Sequence, residues 1–347
     1  LAAELGNNGH QAVFLIKSDP VIKRLADFYG LKYVSMGPKR KGLIAKFLYQ
    51  PVFLLKTIRY VRKHKPALGL GVSMNLPIVS KFTKMKSIGF DDDDMAVTPV
   101  FARYANKASV ILTPSSLAHE NRGENHLTYP GFHELAYLHP NRFKPDDRVF
   151  EWLGLPGKSD YFIVRFNSFK AHHDIGEGGM SFEQKKILVK KLEGKGRVFI
   201  SSESGIDPEF ASYSLTTSPW QMHSVLAFAK MYVGESQTMT SEAAVLGTPA
   251  LKCNTFAGRL SVPNDLERKY GLCYAFLPED FEQMLLKTDE LLAMENLQGE
   301  WERRRQKMLE ENIDVSAFLV WFTENYPGSV DAMKDQYDFF NTWKKQA

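Results

Sequence analysis

The stretch GESQTMTSEAAVLGTPAL, Gly234 to Leu251, decides how the chain is read. The apolar MYV before it ends a strand at Gly234, and small polar residues make a turn. A short helix follows from near Thr238 to Leu246, Gly247 ends it, and PALK opens another strand. A strand–turn–helix–strand unit belongs to a parallel α/β sheet, where successive strands need a helical crossover. The polar mouth of this helix has two readings. Ser236, Gln237 and Thr238 sit where unpaired N–H groups and the positive helix end attract an anion, and Glu242, one turn in, can accept from sugar hydroxyls. Alternatively, Ser236 or Thr238 only caps the helix and Glu242 complements its dipole.

Working outward, apolar runs alternate with helical patterns in two series. Strands are expected at 12–16, 32–35, 67–72, 86–90 and 109–113, with helices over 19–29, 43–63, 76–84 and 96–107. A second series has strands at 161–166, 197–201, 213–215, 231–234, 249–252 and 272–276, with helices near 181–193, 219–229, 238–246 and 278–294. The join, YPGFHELAYLHPNRFKPDD (129–147), carries three prolines and a glycine and reads as a linker. Beyond about 295 the pattern is helical. The expected domains are 1–145, 146–325 and a closing helix over 326–347 that packs back on the first domain.

The 347 residues, 44% hydrophobic and 24% charged, suit a globular protein of two domains. Cys253 and Cys273 make no disulfide framework and read as small core residues in a reducing, cytoplasmic setting. No apolar run reaches the roughly 18 residues of a membrane span. LAAELGNNGH reads as the tail of a helix, so an earlier strand is expected ahead of residue 1.

Three loops leave strand ends where α/β sheets bind ligands. Besides the opening stretch, RFNSFKAHHDIGEGGMS (165–181) carries Arg165, Lys170, His172 and His173, groups suited to a diphosphate or a proton transfer, before a capping box at Ser181 and Gln184. Adjacent His172, His173 and Asp174 cannot easily share one tetrahedral ion, so no metal is expected. GFDDDDMAVTP places four carboxylates after a strand. Either they form an acidic helix start, the reading preferred for Asp93 and Asp94, or Asp91 or Asp92 acts as a base or hydroxyl acceptor. His223, near a helix start, and His133, at the domain join, are further candidates.

Charge is uneven. Between Asp27 and Asp91 there is no acidic residue and thirteen Lys or Arg; against a net charge of +4, this leaves −9 for the rest. Residues 39–65 combine that charge with Phe47, Leu48 and other apolar side chains, and Pro51 is expected to kink or break their helix. The segment is either a patch for an anionic, lipid-linked acceptor at the inner membrane face or a core helix with a solvated basic side. Nucleic acid is not expected, because no groove-reading motif is present.

Together, FDDDDMAVTP, YPGFHELAYLHPNRFKPD, RFNSFKAHHDIGEGGMS and MHSVLAFAKMYVGESQTMTSEAAVLGTPAL resemble an uncharacterised bacterial and archaeal family of GT-B glycosyltransferase-like proteins, over roughly residues 1–285. More remotely, ESQTMTSEAAVLGTPAL is similar to the donor-binding segment of MurG-type transferases and of UDP-N-acetylglucosamine 2-epimerases. The resemblance implies two Rossmann-like domains facing across a cleft, with Gly234, Ser236, Gln237 and Thr238 at a nucleotide diphosphate and Glu242 at the ribose. Gln237 stands where a glycine is common. It also implies transfer of a sugar from a nucleotide donor, UDP-linked by expectation, to a hydroxyl acceptor of a cell-surface glycan or glycolipid. A base would come from Asp91, Asp92, His133 or His172, and the diphosphate would be held by Arg165, Lys170, His173 and His223. The nucleotide sugar is then substrate, and no cofactor is implied. The alternatives are a nucleotide-sugar 2-epimerase and a nucleotide-sugar-binding protein without turnover.

Overall fold

The computed structural model describes residues 1–38, 43–167, 178–202, 205–334 and 339–343, with backbone alone for 43–47. The chain divides into two compact units, Leu1–His133 with Asp314–Ala347, and Glu134–Ile313. Both are α/β with wholly parallel sheets.

In the first unit, β1 (Phe14–Ser18) pairs with β2 (Tyr33–Pro38). A four-stranded sheet runs in sequence order through β3 (Leu68–Gly71), β4 (Lys86–Phe90), β5 (Val110–Pro114) and β6 (His126–Tyr129). Every residue of β5 is buried, as expected of a parallel strand covered on both faces. β6 is a strand that the four-residue HLTY did not announce. The helix Leu43–His64 runs through Pro51, so the expected break does not occur. Beyond the proline, Ile58 and Val61 bury against Val79 and Met85. At about 1.5–3 kcal/mol per buried aliphatic side chain, this offsets a proline penalty of roughly 3 kcal/mol.

The chain returns to this unit at Asp314, ahead of the residue 326 anticipated for the closing helix. Asp314 caps the helix Val315–Glu324 by accepting from the Ala317 N–H at 3.1 Å. Phe318 packs against Tyr129, Phe340 and Trp343, and Glu324 accepts from the Asn8 amide at 2.7 Å. The anticipated division at 145/146 falls within the second unit, because Leu135 and Leu138 of a short helix at the join are fully buried there.

The second unit is built on five strands in the order β8 (Arg197–Ser202), β7 (Tyr161–Phe166), β9 (Met231–Gly234), β10 (Ala250–Cys253), β11 (Cys273–Phe276). Counted within the unit this is 2-1-3-4-5, a doubly wound order whose direction of winding reverses between β7 and β9. The expected strand at 213–215 is reduced to a single bridge, Ile200 to Ser214, because the preceding residues form a 3-10 turn over Pro208–Tyr213. The helix Ser261–Arg268, between β10 and β11, lies in a stretch where none was expected. Both cysteines are free and buried, and burial pushes each thiol up to about 12.

Candidate functional site

At the reversal point, Arg165 of β7 stands in register with Gly234 of β9. Gly234 is required by space: a Cβ there would meet the Arg165 carbonyl oxygen at 2.7 Å and the Tyr232 hydroxyl at 2.6 Å. The Arg165 guanidinium donates to Ser201 Oγ on β8 at 2.6 Å.

Ser236, not Thr238, caps the helix Gln237–Leu246, its Oγ accepting from the Met239 N–H at 3.4 Å. Gly247 closes the helix in the left-handed region, at φ 82°. From Met239 onward the helix is buried, while Gln237 is half-buried and Thr238 exposed, so its open end is the first turn. There the Gln237 and Thr238 N–H groups have no intrahelical acceptor by position.

Glu242, 9% exposed, lies on this helix. Its Oε1 accepts from the Tyr137 hydroxyl at 3.1 Å and stands 3.2 Å from His223 Nε2. The His223 ring lies between Tyr137 and Phe143, with centroids at 5.3 and 5.8 Å. An aromatic-lined imidazole and a carboxylate with acceptor capacity to spare can together grip vicinal hydroxyls. Thus Ser236, Gln237, Thr238, Glu242 and His223 come together in the second unit. Arg165 and Gly234 lie at the reversal point of the same sheet. Lys170, His172 and His173 fall outside the described residues.

Two buried charges beneath this end of the sheet escaped the sequence reading. Glu235 is fully buried. It accepts from the backbone N–H groups of Asn167 and Met180, each at 2.7 Å, and pairs with Lys185 Nζ at 3.1 Å. One carboxylate thereby ties both ends of the loop after β7 to the end of β9. Burial raises its proton affinity, and Lys185 and the two N–H donors pull it back. Lys252 of β10, 1% exposed, donates to the Gln237 side-chain oxygen at 2.6 Å. Burial lowers its pKa to about 8. Gln237 Nε2 is buried with no partner, so this glutamine is held from one side only.

In the first unit, the Asp-rich turn follows β4. Asp91, 2% exposed, accepts from the buried Arg122 guanidinium, which also binds Glu120 at 2.6 Å and the Asp93 carbonyl. This is a structural ion-pair network, and burial raises Asp91 against the pull of Arg122. Asp92 is half-buried, and Asp93 is pushed up to about 7 by burial and its three neighbouring carboxylates. His133 closes the unit's first segment and is half-buried. Among the described residues, Asp94, His119 and Glu120 bring potential metal-ligand atoms within 4.8 Å of one another. Both Glu120 oxygens already serve Arg122 and the Met95 N–H.

No family model matches the sequence, and no curated protein sequence matches it. Solved structures do match. A Streptomyces glycosyltransferase complexed with thymidine diphosphate aligns at TM-score 0.57 and 13% identity, over 93% of this chain and 94% of its own. Acinetobacter baumannii MurG aligns at 0.53 and 13%, with the same coverage. A Listeria monocytogenes protein assigned as a UDP-N-acetylglucosamine 2-epimerase aligns at 0.61 and 10%, over 91% and 88%. The fold is therefore GT-B-like: two parallel-sheet α/β units with a helical C-terminal region.

Proposed function

We propose that this chain transfers a sugar from a nucleotide-sugar donor, UDP-linked by preference, to a hydroxyl acceptor. The second unit holds the nucleotide. The observation that carries the reading is Glu242, joined to His223 and Tyr137 on a helix whose open first turn adjoins the reversal point of its sheet. The diphosphate is met by the N–H groups of Gln237 and Thr238 and by the helix dipole, with Glu242 and His223 on the ribose. The leaving diphosphate is stabilised by those fixed dipoles, with no metal required by this arrangement. Matches to structures named as a glycosyltransferase with thymidine diphosphate and as a UDP-sugar epimerase support the nucleotide class.

The first unit binds the acceptor. Within its Asp-rich turn, Asp93 suits a base at neutral pH better than Asp91, whose carboxylate is committed to Arg122. The acceptor is lipid-linked or anionic, as in cell-surface glycan synthesis. Support comes from the helix Leu43–His64, where Leu48 (68% exposed), Val52 and Leu55 form a bare apolar stripe that continues into exposed Lys56, Arg59 and Lys63. Such a surface suits an anionic bilayer, with each nearby cation adding on the order of 1 kcal/mol. Vesicles containing phosphatidylglycerol should sediment the protein at low salt and release it at high salt. Leu48→Glu with Leu55→Glu should abolish that sedimentation, and retention by the double variant would remove the helix from the interface.

A thermal-shift screen of nucleotide sugars tests the donor site. A ligand at 100 times its Kd should add about 2.7 kcal/mol. Glu242→Ala should erase the shift, and a full shift in that variant would take Glu242 out of the site. Incubation with UDP-N-acetylglucosamine alone separates the chemistries: an epimer marks an epimerase, and binding without conversion a binding module. Sugar transfer that depends on added lipid acceptor marks the transferase.

A further inference from the structure

We infer that the first unit carries a separate anion-binding site, for a small ligand bearing two phosphate groups, in the cavity where Lys81, Lys84, Lys86 and Lys107 meet Ser80 and Ser109. The cavity measures about 410 Å³. That lies within the range of roughly 300–1,000 Å³ typical of small-molecule sites. Its lysines come from three places: the end of the helix Asn75–Lys81, the turn and first residue of β4, and the residues just before β5. No aspartate or glutamate lines it, and among the described residues none of the four lysines has a carboxylate partner. All four lysines are exposed, so their ammonium groups are free to turn toward an anion seated among them.

The hydroxyls add direction. Ser80 Oγ is enclosed and without a hydrogen-bond partner. Ser109 Oγ accepts from the Ser87 N–H at 3.1 Å, which leaves its own proton for an acceptor in the cavity. The Ser109 hydroxyl and four lysines offer donors and positive charge suited to two phosphate groups. Lysine ammonium groups bind as point charges and tolerate varied phosphate geometry. The apolar lining is Pro77, Met85, Thr83 and lysine stems, with no aromatic ring on which a base could stack, so a nucleobase is not part of the ligand.

The site differs from the one proposed for transfer, and it does not depend on that proposal. Lys86 opens β4, whereas the Asp-rich turn leaves its other end after Phe90. At about 3.3 Å per residue, a five-residue strand separates them by roughly 16 Å. Reacting ligands in parallel sheets sit at the carboxyl ends, so a site at the amino ends is one of binding alone.

The same chemistry is offered by a soluble diphosphate and by clustered phosphate headgroups of a lipid. Amine acylation read by peptide mass spectrometry tests both, with inorganic pyrophosphate in one arm and phosphatidic acid in phosphatidylcholine vesicles in the other. Labelling of Lys84 and Lys107 should slow roughly tenfold once a probe stands at about ten times its Kd. Exposed Lys195 should keep its rate in both arms, and exposed Lys63 in the pyrophosphate arm. Protection by pyrophosphate assigns a soluble ligand; protection by vesicles alone assigns a headgroup. In either case Lys84→Glu with Lys107→Glu should remove the protection of Lys81 and Lys86. No protection by either probe overturns the inference, as does equal slowing at Lys195, or at Lys63 with pyrophosphate, or protection that survives the double variant.

Discussion

Asp93 shows how position overrides residue type. A solvated aspartate ionises near 4, but burial and the charges of Asp92, Asp91 and Asp94 push this one up to about 7. Its folded value stands above its unfolded one, so the native state holds an extra proton between them. The stabilisation is complete below about pH 4 and is lost as pH rises through 7. The urea midpoint should therefore fall from pH 4 to 7, and Asp93→Asn should flatten that fall. An unaltered slope in the variant would show that another group titrates. The sequence reading set Asp93 aside as part of an acidic helix start. Four successive carboxylates look alike along a chain; only the placement of Arg122, which claims Asp91, tells them apart. Lys252 was equally hidden, since a lysine at a strand end reads as exposed until neighbouring elements enclose it.

At the scale of elements, the stretch that opens the second unit's site was legible because its signals are local. Gly234 ends the strand and Gly247 terminates the helix, while the structure chose Ser236 over Thr238 as the cap and showed the close approach at Gly234. The loop after β7 is held by something that was not legible. Glu235 gathers N–H groups from Asn167 and Met180, which stand thirteen residues apart in sequence. Glu235→Gln keeps one acceptor and turns an NH₂ toward a donor, leaving a buried N–H unmatched at a cost of about 1–3 kcal/mol. The urea midpoint should drop accordingly, and Glu235→Ala, which removes both acceptor oxygens and the counter-charge of Lys185, should cost more. A loss no larger for Glu235→Ala than for Lys195→Ala at an exposed position would deny the carboxylate its role as the loop's anchor. β6 and the helix Ser261–Arg268 were missed for a related reason: four residues, or eight with an internal proline, carry too little periodicity to declare themselves.

For the whole molecule, the chain's closing segment belongs to the unit in which the chain begins. Phe318, fully buried against Tyr129 and the aromatic residues that follow it, should cost about 3–5 kcal/mol when cut to alanine. That loss should appear in unfolding of the first unit while nucleotide-sugar binding by the second is retained; loss of both would mean that the units do not hold separate cores. The sequence by itself determined the two parallel α/β series, a short capped helix opening within residues 236–238 and the one-signed charge of residues 28–90. Each is set by neighbours a few residues apart, through hydrogen-bonding, turn chemistry and hydrophobic period. The tertiary structure alone decided strand order, which acidic side chain an arginine claims, the burial of Glu235 and Lys252, and the gathering of four lysines in one hollow. Those outcomes depend on desolvation and on contacts between residues far apart in the chain, and no local pattern encodes either.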